Sequence, residues 1–205
     1  MTREALALAA SYLLGAIPTS YLAARLFRGI DLRTVGSGNL GATNVYRTLG
    51  ARFAIPVGMF DMAKGAIPVM VLAPLASSSR YFAMLCGIVA VVGHVFSVFV
   101  RFRGGKGVAT ASGVMLGLTP WAVLVSLVIW LLVVRVSGYV SLGSMIAALA
   151  LPVAAWLLHP GQRGLIWIQV LVALAIVWLH RANIQRLLAG TEHRFGHKRA
   201  PESPG

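Results

Sequence analysis

Charged positions divide the chain into long apolar stretches. Ala5 to Ala24 carries no charge, and Tyr81 to Val100 carries none but contains His94. Phe53 to Leu75 is apolar apart from Asp61 and Lys64. Gly107 to Val134 is uncharged for 28 residues, Val136 to Gln162 for 27, and Gly164 to Leu179 for 16. A helix needs about 20 predominantly apolar residues to cross a bilayer. The pattern therefore predicts an all-α, polytopic integral membrane protein, and a first count gives six crossings.

The distribution of Lys and Arg changes that count. With six spans and the N-terminus outside, nine basic residues fall on the inner side and eight on the outer, which is no bias. Proline starts helices well and continues them poorly, so the longest stretch is expected to split at Thr119-Pro120. With about seven segments the inner side collects the basic residues of 25–52, 101–106, Arg135 and those of 181–199, fourteen in all. The outer side keeps Arg3, Arg80 and Arg163, three in all. The positive-inside rule favours this second arrangement. It puts the N-terminus outside and the C-terminus in the cytoplasm, and it makes residues 107–118 a short segment of about 18 Å.

Arg3 is offset by Glu4 while Arg25, Arg28 and Arg33 follow the first apolar run. That order fits an uncleaved anchor better than a signal peptide, which carries its positive charge first. A single transmembrane domain is expected over residues 1–196, and the polar tail 197–205 is expected to be flexible.

Composition supports the lipid setting. Of 205 residues 58% are hydrophobic and 11% charged, against about 25% charged in soluble domains. Lys and Arg number 18 against 5 Asp and Glu. The basic residues are separated by long apolar runs, so the excess fits cytoplasmic loops and an anionic substrate rather than nucleic acid. Trp121, Trp156, Trp167 and Trp178 fit helix ends at the membrane interface. The only cysteine, Cys86, excludes an intrachain disulfide and reads as a small core residue.

Three polar clusters share the inner face. The first is Gly36-Ser37-Gly38-Asn39-Leu40-Gly41-Ala42-Thr43-Asn44, followed by Arg47. Its glycines let backbone approach a ligand, successive N–H groups form anion-binding nests, and arginine offers a planar phosphate-binding fork. Ser37, Asn39, Thr43 and Asn44 add neutral donors. The second runs from Gly93-His94 to Arg101-Phe102-Arg103-Gly104-Gly105-Lys106-Gly107 and leads into a helix, whose N-terminus favours anions. It lacks P-loop spacing, so nucleotide hydrolysis is not implied. The third holds His180, Asn183 and Glu192, with His180 and Asn183 on one helix face.

Glu192 can pair with an arginine or act as a base. Asp61 and Lys64, three apart within the second span, can form an internal ion pair, or Lys64 can join the cationic pocket. His159, His193 and His197 lack ligand-like grouping, so no metal is expected. A transporter for an organic phosphate would also need cations, glycines and broken helices. Against that reading there is no internal repeat, and the clusters gather at one face.

The three clusters resemble the motifs of the bacterial membrane glycerol-3-phosphate acyltransferases that use acyl phosphate as donor. The matching stretches are GSGNLGATNVYR at 36–47, GHVFSVFVRFRGGKGVAT at 93–110 and HRANIQRLLAGTEHRF at 180–195, in the family's order. Ser97 stands where the family usually has proline, which bears on the bend after His94.

The resemblance implies transfer of a fatty acyl group from acyl phosphate to the 1-hydroxyl of sn-glycerol 3-phosphate, giving lysophosphatidic acid and inorganic phosphate. It implies an inner-membrane enzyme of phospholipid synthesis facing the cytoplasm, with the bilayer as its surroundings; no cofactor and no protein partner is named. It carries over Ser37, Arg47, His180 and Asn183 as activity-determining, and Glu192 as structural. It carries over the glycines around Lys106 as the glycerol-phosphate site. The expected phosphate-binding set is Gly36, Gly38, Asn39, Thr43, Asn44, Lys64, His94, Gly104, Gly105, Lys106 and Gly107. Carboxylates are scarce there, which leaves His180 or a substrate phosphate oxygen as base. An acyl-Ser37 intermediate lacks an evident activating His-Asp pair.

Overall fold

A computed structural model describes residues 3–195. The tail expected over 197–205 lies outside the described residues.

The chain forms ten α-helices among the described residues. They are α1 (Arg3–Ala16), α2 (Thr19–Arg28), α3 (Ala42–Leu49), α4 (Ala51–Ile67), α5 (Arg80–Val95), α6 (Val108–Leu118), α7 (Pro120–Ser137), α8 (Val140–Leu158), α9 (Ile166–Leu179) and α10 (Arg181–Leu188). Six helical stretches are long and apolar enough to cross a membrane: Arg3–Arg28, Ala51–Leu72, Arg80–Val100, Pro120–Ser137, Val140–Leu158 and Pro160–Leu179. The seventh expected segment is α6, which stops at Leu118, with Pro120 opening α7. Its 11 residues reach about 17 Å.

Pairwise contacts order the two ends of the bundle. Gln162 donates to Leu118 O at 2.5 Å, and the Tyr81 ring packs against Gly164. The start of α5, the end of α6 and the α8–α9 turn therefore meet at one end. At the other end Phe195 N bonds Gly138 O at 2.7 Å, and the rings of Tyr46 and Phe195 stack 4.7 Å apart. The glycine loops and the last motif are thus gathered at a single end, and α6 leads away from it.

Helices touch where glycines remove bulk. A Cβ on Gly65 would strike the Thr110 carbonyl, one on Gly113 the Met62 carbonyl, and one on Gly15 the Ala90 carbonyl. These contacts join α4 to α6 and α1 to α5 through backbone approach, which replaces the hydrophobic drive that lipid cannot supply. Between α6, α7 and α5 the core is Met84, Val114, Met115, Leu118 and Val123. Cys86 is fully buried beside Ala7 and Ala73. The four tryptophans named above remain exposed; Arg163 lies 4.6 Å over Trp156 and Arg181 4.2 Å over Trp178.

The first apolar stretch is broken at Pro18, between α1 and α2. Proline lacks an N–H, and a break inside a span leaves carbonyls that lipid cannot satisfy. Two side chains meet them: Ser97 Oγ donates to Ala16 O at 2.5 Å, and Lys64 Nζ donates to Ile17 O at 2.8 Å. Ser97 thus has a hydrogen-bonding task that a proline at this position could not perform.

Candidate active site at the loop end of the bundle

The glycine loop before α3 is held by Asn44. This residue is 1% exposed. Its Oδ1 accepts from Ser37 N at 2.9 Å, and its Nδ2 donates to Leu32 O at 3.2 Å and Val35 O at 3.1 Å. Gly36 and Gly38 both have positive φ, 62° and 67°, which suits glycine. A side chain on Gly36 would also collide with Asn44 Oδ1. Asn44 therefore acts on the loop, with its amide fully engaged, and sets the position of Ser37.

The second loop returns along α5. Gly104 N bonds Val95 O at 3.0 Å and Gly105 N bonds His94 O at 3.3 Å. Side chains at these two glycines would strike His94, through its carbonyl and its ring. Their N–H groups are thus engaged within the loop. Three residues later α6 begins at Val108, and the first N–H groups of a helix have no intrahelical partner and favour an anion.

Lys106, Asn183 and Glu192 form one chain of contacts. Lys106 Nζ donates to Asn183 Oδ1. Asn183 Nδ2 donates to Glu192 Oε1 at 2.8 Å, Ser141 Oγ donates to the same oxygen at 3.0 Å, and Arg186 Nε reaches Glu192 Oε2 at 2.7 Å. Burial raises the Glu192 carboxyl, but hydrogen bonds from Asn183, Arg186 and Ser141 outweigh it and hold the group below its usual range. Of the two roles open to Glu192, the arginine pairing is the one observed. Ser141 and Arg186 were not singled out from the sequence. For Arg186 a signal existed, since it is three residues from Asn183 and shares its face. Ser141 sits in an uncharged run and carried none.

Burial pushes Lys106 down to about 8, assisted by Arg186 and Arg47 and opposed by Glu192. Burial also lowers Arg47, which stays a cation because guanidinium starts so high. Among the described residues Arg47 has no protein acceptor. Burial, with Lys106 nearby, pushes His180 down to about 4. His180 Nδ1 lies 2.8 Å from Ile176 O. A carbonyl only accepts, so Nδ1 carries the proton and Nε2 is the free acceptor.

A cavity of about 770 Å³ opens from these groups into the helices. Ser37, Gly38, Asn39, Thr43, Asn44, Arg47, His94, Lys106, Gly107, His180, Asn183 and Glu192 all border it, so residues from all three clusters meet. Deeper in, the wall is Met62, Met115, Val123, Leu151, Val172 and Ile176. One end is cationic and the interior apolar.

Gly36, Lys64, Gly104 and Gly105 do not line this cavity. Lys64 is 1% exposed, bonded to Asp61 at 2.8 Å and to Ile17 O. It matches the internal ion pair among the two roles open to it.

Glu192→Gln should lower the midpoint of thermal unfolding in detergent, by the equivalent of about 1–3 kcal/mol. The amide replaces an acceptor oxygen by a donor facing Asn183 or Arg186. An unchanged midpoint would show that the carboxylate does not brace this end of the bundle.

The family model described as glycerol-3-phosphate acyltransferase matches residues 5–190. A glycerol-3-phosphate acyltransferase of Geobacter metallireducens is 53% identical over 196 residues, covering 95% of this chain and 99% of that protein. One of Geotalea daltonii is 46% identical with the same coverage. Among solved structures, the glycerol 3-phosphate form of PlsY (YgiH), an integral membrane glycerol 3-phosphate acyltransferase, is 37% identical. It aligns with a TM-score of 0.88 over 94% of this chain and 96% of that one. Its lysophosphatidic acid form is 36% identical, with a TM-score of 0.85 over 94% and 95%.

Proposed function

The chain belongs to the glycerol-3-phosphate acyltransferase family, and from that premise we propose that it moves a fatty acyl group from acyl phosphate to the 1-hydroxyl of sn-glycerol 3-phosphate. The products are 1-acyl-glycerol 3-phosphate and inorganic phosphate. The reaction takes place at the cytoplasmic face of the cell inner membrane; the excess of Lys and Arg at the loop end supports this side.

The observation that carries the reading is the union, in one cavity, of Arg47, Lys106 and Arg186 with an apolar chamber. The cations and the opening of α6 suit phosphate, and the chamber suits an acyl chain. Among the described residues bordering the cavity the carboxylates are Glu192, beside these cations, and Asp61, paired with Lys64, so the mouth keeps a positive surplus for an anionic substrate.

In the step itself the glycerol oxygen attacks the acyl carbon, the bond from that carbon to the phosphate oxygen breaks, and phosphate leaves with its electron pair. The hydroxyl proton passes to an oxygen of the departing phosphate. His180 is the alternative acceptor, but a group held near 4 is a weak base for an alcohol at neutral pH. Ser37 and Asn39 supply donors for the oxyanion. Phosphate is already a good leaving group, so positioning and charge stabilisation carry most of the catalysis.

The test is purified protein in detergent with acyl phosphate and glycerol 3-phosphate. Lysophosphatidic acid should form without a sealed vesicle; its absence would favour the transporter reading. In the same assay kcat/KM for glycerol 3-phosphate should fall as pH rises through about 8. Only protonated Lys106 is a cation, and kcat/KM reports the free enzyme. Lys106→Arg should push that limb to higher pH, because guanidinium stays charged there. A limb at the same pH in both proteins would assign it to another group.

A further inference from the structure

Two polar side chains stand in the apolar part of the cavity. Gln169 on α9 is 1% exposed and Ser126 on α7 is 6% exposed. Both border the cavity. Neither Gln169 Oε1, Gln169 Nε2 nor Ser126 Oγ has a hydrogen-bond partner among the described residues. The surrounding wall is apolar, formed by Val123, Leu151, Val172 and Ala173. A primary amide offers two donor and two acceptor positions, and leaving these unmet in apolar surroundings is costly. Water or a polar ligand group therefore belongs at this place.

Its depth is informative. Gln169 precedes His180 by 11 residues, about 16 Å along a helix, toward the end away from the loops. Leu165 and Leu118, which do not line the cavity, pack with the wall residues Met115 and Val123 into a closed cluster at this end. The chamber thus runs from a cationic mouth to a polar floor.

We infer that Gln169 and Ser126 form a hydrated floor that limits the length of the acyl chain, a specificity device resting on the acyl-transfer reading above. Each methylene added above the floor gains burial. The first terminal methyl to reach it displaces water from an amide and offers no hydrogen bond in return. That chain length should be used about tenfold less efficiently than the one before it. A chain of the same length ending in a hydroxyl can bond the amide and escapes the loss.

The experiment compares wild type, Gln169→Leu and Ala173→Leu in detergent. One measurement is kcat/KM with acyl phosphates of graded chain length. The other is thermal stabilisation by lysophosphatidic acids of the same lengths and by their ω-hydroxy counterparts. Gln169→Leu keeps side-chain bulk and removes the amide; its length limit should move to longer chains, and the ω-hydroxy advantage should vanish. Ala173→Leu, one turn nearer the mouth, should move the limit to shorter chains.

A wild-type length profile in Gln169→Leu, or an equal loss at every length, overturns the inference. If Gln169→Leu does not fold, Ser126→Ala is read in the same way, with a smaller shift. Stabilisation profiles that shift without any turnover of acyl phosphate would sink the donor assignment and leave the floor standing. Turnover with no shift in either profile would do the reverse.

Discussion

Lys106→Ala is expected to lower kcat/KM for glycerol 3-phosphate by about a hundred- to a thousandfold, the usual effect of losing one charge-stabilising donor in a buried site. Lys106 borders the cavity beside Gly107 at the opening of α6. On the proposed reading its ammonium and the free N–H groups of that helix address the same anion. Truncation removes one of three neighbouring cations and also frees Asn183 Oδ1, which Lys106 engages. Asn183 stays tied to Glu192 through Nδ2, so the fold at this end should persist. Loss should therefore appear in turnover and in KM for glycerol 3-phosphate, with little change in unfolding temperature. Lys106→Arg should retain more activity than the alanine variant, because it keeps the charge. Kinetics like those of wild type in Lys106→Ala would remove this residue from the substrate site.

The parts of this architecture that were legible in the sequence are those where charge or glycine interrupts an apolar run. The split at Thr119-Pro120 follows from proline favouring the first helical position, and the helices divide there. The break at Pro18 has the same chemistry but was not predicted, because the 20 uncharged residues Ala5 to Ala24 match a single crossing and gave no reason to divide them. Its partners, Lys64 and Ser97, lie 47 and 81 residues away along the chain from the carbonyls they meet. The three loop clusters were legible as chemistry, and residues from all three line one cavity.

Which backbone groups face that cavity was not legible. Gly104 and Gly105 look like a phosphate cradle in sequence, yet their N–H groups bond α5. Asn44 looks like a ligand-facing donor, yet its amide is engaged in bracing the loop. A one-dimensional pattern gives residue type and spacing. Whether a donor is already engaged depends on partners far along the chain. Gln169 and Ser126 show the limit most directly, since each is a single polar residue in an apolar run.

Asp61→Asn should be among the most destabilising single changes available outside the mouth of the site, by about 3–5 kcal/mol. Asp61 and Lys64 are almost completely buried and 2.8 Å apart. Thr19 Oγ1 donates to Asp61 Oδ1 at 2.5 Å, and His94 Nδ1 lies 3.8 Å from the same oxygen. The pair thereby ties the Pro18 break to α4, through Thr19 and Ile17 O. Removing the negative charge strands Lys64 in a medium where an unpaired ammonium is strongly disfavoured. Lys64 cannot withdraw without abandoning Ile17 O, which no water-filled surface replaces.

The double change Asp61→Leu with Lys64→Met removes both charges together and should cost less than the sum of the single changes. It should still fall short of wild type, since Ile17 O and Thr19 Oγ1 each lose a partner at about 1–3 kcal/mol. Unfolding midpoints in detergent for the two single variants and the double variant measure this coupling directly. If Asp61→Asn unfolds like wild type while losing turnover, the pair serves the chemistry instead, and Lys64 returns to the group of residues that answer to substrate.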